Sequence, residues 1–273
     1  MLRLFKMNLY RTLRSKSAWI LIIVAIGITI MGNGINKIAS VYIEKNTAIE
    51  STEVAETGIG VEATEESQNT IFSVLAGDMK AGMLLIFIII FASLFISAEE
   101  KNGYVKNVSS LVKNREDMVL PRIAAIAVYT LAFYIIYMLA EGISYLILFP
   151  GTAIGFEASY LGFFALEYLL SLCVVSLTVL ITSLTRSSGL GLTVGILLAT
   201  GFHMIFAQLG NMLINAVAGK TVIDLNEYLT VTWISQLDPI STTKWLWAGV
   251  LGLIYLAVWN IVNIIIVRKR DVA

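Results

Sequence analysis

The sequence predicts an all-α integral membrane protein of six transmembrane helices, with both termini cytoplasmic. Three observations lead there. The 273-residue chain is 58% hydrophobic and only 14% charged, with a mean hydropathy of +0.82, whereas soluble domains carry about 25% charge. Six apolar stretches, roughly 18–38, 80–98, 122–149, 160–184, 190–209 and 246–267, have about the 20 residues needed to cross the hydrocarbon as a helix. Their Leu, Ile, Phe, Gly and Ala show no period-two alternation, which argues against a barrel and for helices that pair their own backbone groups in lipid. The third observation is the distribution of basic residues. With the N-terminus inside, 14 of the 19 Lys and Arg fall on cytoplasmic segments, and Lys37, Lys45, Lys80, Lys220 and Lys244 fall outside. That asymmetry sets the orientation.

In chain order, residues 1–17 come first as an amphipathic interfacial helix. Leu2, Phe5, Leu9 and Leu13 share one face, and Arg3, Lys6, Arg11 and Arg14 lie toward the other. Such a helix lies in the interface with its basic side on anionic headgroups. Its long basic region and the long apolar run after it, with no A-x-A site, predict an uncleaved segment rather than a signal peptide. Residues 39–79 form an outside loop rich in Glu and poor in base. It reads as a solvated, partly disordered connection or as an acidic collar for cationic ligands. Pro150-Gly151 separates the third span from the fourth, and the TRSSG sequence at 185–189 separates the fourth from the fifth. The Trp- and Tyr-bearing segment 210–245 is expected outside, as interfacial or re-entrant helices over the bundle.

Composition also excludes functions. The formal net charge is zero, so nothing global points to nucleic acid. A single cysteine, Cys173, allows no intrachain disulfide and no cysteine-based metal site, and a single histidine, His203, allows no multi-histidine cluster. The GKT sequence at 219–221 lacks the glycine of a phosphate-binding loop, since Ile214 stands there. The NVS sequence at 107–109 falls on the cytoplasmic side and is no glycosylation acceptor. Glu99-Glu100 is like the glutamate pair of intramembrane CAAX-type proteases, but Tyr104 occupies the position of their arginine. No catalytic set is readable, and the chain is expected not to be an enzyme.

Three ionisable residues fall within spans: Glu141, Glu167 and His203. Each lies about six to nine residues from the outer boundary, roughly 9–14 Å deep, so all three are expected to share one layer. A carboxyl at that depth is either held neutral and hydrogen-bonded between helices or faces a water-filled substrate cavity.

The cytoplasmic stretch 99–121 is longer than a turn needs. Tyr104, Val105, Val108, Leu111 and Val112 recur on one helical face, bounded by Lys101, Lys106, Lys113 and Arg115. The length and the apolar face suggest a docking element. With the basic N-terminal helix and six spans, this loop resembles that of permease subunits of type-2 ATP-binding cassette exporters, most of all those of Gram-positive bacteria. The matching positions are Glu99, Gly103, Lys106, Asn107, Ser110 (or equally Ser109) and Arg115. The SLTRSSGLGLTVGI passage at 183–196 is similar to that family's turn between spans four and five.

The resemblance implies that 99–121 carries a coupling helix docking on a separate cytoplasmic ATPase, which would bind ATP and Mg, while this chain holds no nucleotide, cofactor or metal. It implies a second permease, identical or paralogous, in the bacterial plasma membrane. Glu99, Glu100, Lys106 and Arg115 are then the expected polar contacts, and Tyr104, Val108 and Leu111 the apolar plug. The cargo expected is a cationic amphipathic or antimicrobial peptide, a drug or a lipid. A non-transporting immunity or sensor protein that binds through the outer loop, and an ion-gradient-driven transporter, are the alternative readings.

Overall fold

The structure, a computed structural model, describes residues 2–50, 70–101, 104, 108, 115–218 and 224–269. Among them every regular element is helical. In chain order these are α1 (Leu2–Arg14), α2 (Lys16–Glu50), α3 (Ile71–Lys80), α4 (Met83–Lys101), α5 (Val119–Leu148), α6 (Ala158–Thr185), α7 (Ser188–Ala199), α8 (His203–Ala218), α9 (Thr230–Gln236) and α10 (Trp245–Lys269). Two 3-10 turns, Arg115–Met118 and Leu225–Tyr228, precede α5 and α9. Four helices are long and apolar enough to cross a membrane, and six spans result if each of two bent pairs counts as one.

The bent pairs depart from the sequence expectation. The second apolar run does not start at residue 80: α3 precedes α4 across a break of 51°, and α7 meets α8 at 69°. Each break is made by a glycine in the left-handed region, Gly82 at φ 72° and Gly201 at φ 79°, where a side chain would be strained. The segment 39–79, expected as an outside loop, is helical in its described residues at both ends. α2 runs on to Glu50, and α3 opens at Ile71, with the Thr70 hydroxyl accepting from Ser73 N. That Thr70 cap satisfies one of the N–H groups a helix start leaves unpaired.

Two further boundaries follow from local chemistry. Pro121 sits in the first turn of α5, where its missing N–H costs nothing. Arg186 ends α6 at φ 55°, and α7 begins two residues later.

α6 is the centre of the bundle: α4, α5, α7, α9 and α10 all pack against it. Its buried face carries Phe163, Leu170, Val174 and Val179. α4 adds Leu85, Ile88, Ile89 and Phe91, and Phe91 stacks on Tyr129 of α5 with centroids 3.7 Å apart. α7 fits closely because Gly191 and Gly195 face Thr182 and Thr178 of α6, with Ile89 of α4 also against Gly195, as small residues allow in membrane bundles. α2 and α10 turn Ile23, Ile38, Leu253 and Ile261 outward. A helix in lipid needs no polar cover on that side.

Candidate functional site

At one end of the bundle the termini of four helices converge on Glu99. Its carboxylate is 3% exposed and accepts from Arg11 of α1 at 2.6 Å and from Arg122 of α5 at 3.3 Å. Arg122, itself buried, also donates to Ser183 Oγ near the end of α6 at 3.2 Å. Arg11 lies over the rings of Phe95 (3.9 Å) and Tyr104 (4.4 Å). Tyr104 donates to Asn8 Oδ1 at 3.0 Å, and burial pushes its hydroxyl above the ordinary tyrosine range, against the pull of Arg11. One buried carboxylate thus holds two guanidiniums, and a charge this deep is tolerated because it is paired. The same end carries the outer pair Arg268–Glu116 at 3.6 Å, joining α10 to the turn before α5.

The arrangement corrects three expectations. Glu99 and Val108 were expected to face a partner, but Glu99 is enclosed by its own arginines and Val108 is 4% exposed. Burial of both follows from the pull of Arg11 and Arg122 on Glu99 and from the cost of leaving valine in water. Arg11 was expected among headgroups, but it turns inward to Glu99. The protein-facing side of α1 is polar, with Asn8 and Thr12 buried, while Leu2 and Leu13 are exposed. Tyr104 is half-buried against α1. The side chains of Glu100 and Arg115, and the whole of Gly103, Lys106, Asn107 and Leu111, lie outside the described residues.

The three ionisable residues of the spans are each held in a different setting. Both Glu141 oxygens accept from Asn33 Nδ2 of α2, at 3.0 and 2.9 Å, and Asn33 also reaches Ser144. A second link between α2 and α5 lies beside it, where Thr29 donates to Tyr137, which donates to Asp78 of α3. His203 bridges the Leu198 carbonyl at 3.1 Å and Thr232 Oγ1 of α9 at 3.2 Å. Glu167, 1% exposed, has an Oε1 with no hydrogen-bond partner, and the charge that reaches it is that of Lys80. No hydrogen bond or ion pair joins the three to one another. Asn33, Asp78 and Tyr137 are additions that sequence reasoning missed. Asn33 was visible as a polar residue inside the first apolar run.

Among the described residues no three His, Cys, Asp or Glu converge in a metal-ligand group. A cleft of about 240 Å³ lies where the two helix breaks meet, lined by Lys80, Gly82, Leu85, Ala199, His203 and Ser235 among others.

These features define the class: an all-helical membrane protein with four to six spanning helices, whose helix ends are tied together by a buried charge cluster. Within that class, residues 20–273 match the family model described as Protein of unknown function (DUF2705), and the chain belongs to that family. No curated protein matches the chain.

Proposed function

We propose that the chain is the permease subunit of an ATP-binding cassette exporter, working with a second permease and moved by a separate cytoplasmic ATPase. The observation that carries this reading is the Glu99 cluster. It ties the interfacial helix α1, the end of α4, the start of α5 and the end of α6 to one carboxylate, at the mouth of the 99–121 segment. A force on that segment would reach four helices through short charged contacts. A connector that only turned the chain would need no such joint. In this reading Glu99 transmits, while Glu100, Lys106, Leu111 and Arg115 meet the ATPase. In this reading the basic residues gathered at this end face the cytoplasm, the side that the bias of Lys and Arg in membrane proteins favours. An ATPase closing on nucleotide would then favour one arrangement of the helices over another, as coupling between two sites requires.

For cargo, the proposal keeps a cationic amphipathic peptide, a drug or a lipid. The exported molecule would pass along the bundle rather than sit in the 240 Å³ cleft, which is smaller than the roughly 300 Å³ at which small-molecule sites begin. A photoreactive residue placed at Leu111 or Lys106, in membranes of the native host, tests the docking. Crosslinking to a nucleotide-binding subunit is the expected result. Crosslinks to lipid alone would remove the coupling assignment.

A further inference from the structure

We propose that Glu167 is an exchangeable proton site, a buried carboxyl that carries either a proton or, once that proton has left, the Lys80 ammonium as its partner. The inference starts from a contrast among the buried glutamates. Glu99 is paired with Arg11 and Arg122. Both oxygens of Glu141 accept from Asn33. Glu167 is 1% exposed on the central helix of the bundle, and its Oε1 has no hydrogen-bond partner. An ionised group there would be an uncompensated charge, and such burial is tolerated only with a partner. No ion pair joins Glu167 to Lys80 in this arrangement, which suits the neutral acid.

The helices packed on α6 leave one candidate for that partner. α4, α7, α9 and α10 carry no charged side chain in residues 83–98, 188–199, 230–236 and 245–267, where the titratable group is Tyr255. α5 brings Tyr134, whose hydroxyl shares a hydrogen bond of 2.7 Å with Ser171, and Glu141, already held by Asn33. On α6 itself Tyr168 donates to Ala127 O. α3 brings Asp78, which accepts from Tyr137, and Lys80, whose charge reaches Glu167. An ammonium is thus near enough to be felt without being bonded.

Lys80 has the freedom that Glu167 lacks. It is the last residue of α3, just before Gly82, whose φ of 72° makes the 51° break. Its side chain is partly exposed and lines the cleft of about 240 Å³, which Glu167 does not line. His203, across that cleft, is committed to the Leu198 carbonyl and to Thr232 Oγ1. In the exchange the O–H bond of Glu167 breaks and its proton passes to solvent by way of the cleft. The carboxylate left behind is compensated by the ammonium, which swings inward and keeps its own charge. Proton uptake reverses both movements and returns Lys80 to the cleft.

The exchange needs no ATPase, so its test is independent of the transport reading. The purified full chain in neutral detergent is treated with dicyclohexylcarbodiimide across a range of pH, and the labelled residues are located by mass spectrometry. The reagent adds to protonated carboxyls in apolar surroundings and not to ion-paired carboxylates. Glu167 is expected to be labelled at acidic pH and to lose the label as pH rises, while Glu99 stays unlabelled throughout. In Lys80→Gln the pH of half-labelling is expected to rise by about one unit, a tenfold change in proton concentration, because the cation that replaces the proton is gone. Lys80→Arg is expected to keep the wild-type profile. No label on Glu167 at any pH, a label that does not change with pH, or equal labelling of Glu99 would overturn the proton site. An unchanged profile in Lys80→Gln would overturn the exchange with Lys80.

Discussion

Glu99 shows how little of a charged residue's role its charge alone reveals. Read in sequence, it is the first residue of a polar stretch and a natural contact for a protein partner. In the fold it is the best-enclosed carboxylate at its end of the bundle, held by Arg11 and Arg122. Removing it leaves two guanidiniums without their shared counter-charge, one of them buried, so Glu99→Ala is expected to cost about 3–5 kcal/mol of stability. Arg11→Met should cost less, about 1.5 kcal/mol, because its side chain is 28% exposed and Arg122 still faces the carboxylate. Thermal unfolding of the purified chain ranks the two, and the reverse order would remove Glu99 as the keystone. The partners were not legible in the sequence, since all three residues sit at predicted helix ends and register alone cannot pair residues 88 or 23 positions apart. The three ionisable residues of the spans were legible as buried, but not as separate. Depth along a helix can be counted from its ends, whereas the direction a side chain faces depends on packing.

At the level of single helices, the long apolar runs were readable because about 20 such residues have few alternatives to a spanning helix. The breaks were not readable, because a glycine in an apolar run is common in membrane helices and looks the same whether φ is negative or positive. Gly82 and Gly201 take the positive value, and the bends follow. Gly191 and Gly195 are glycines for a different reason, the close approach of α7 to α6. Gly191→Leu is expected to push α7 off its neighbours and to cost about 1–3 kcal/mol or more. Gly27→Leu, where nothing lies within 4 Å of an added Cβ, should be nearly neutral. Thermal unfolding of the two variants compares them, and similar midpoints would show that α7 does not pack as tightly as described. The end of α2 and most of α3 were read as loop because Glu-, Thr- and Ala-rich composition reports solvation and not the absence of a helix.

For the molecule as a whole, one end is polar, cross-linked by ion pairs and rich in base. The other carries Trp233, Trp245 and Trp247, whose indoles donate to the backbone carbonyls of Glu227 and Asp238. In the proposed assembly the 99–121 segment is the contact and the Glu99 cluster is the joint behind it. The measurement that bears on this most directly is ATP hydrolysis by material captured on the affinity-tagged chain from native membranes. Wild-type eluates should hydrolyse ATP, and Leu111→Asp should reduce that activity by about tenfold while the yield and Tm of the chain itself stay unchanged. Eluates without ATP hydrolysis, or equal hydrolysis from wild type and Leu111→Asp, would contradict the proposed coupling.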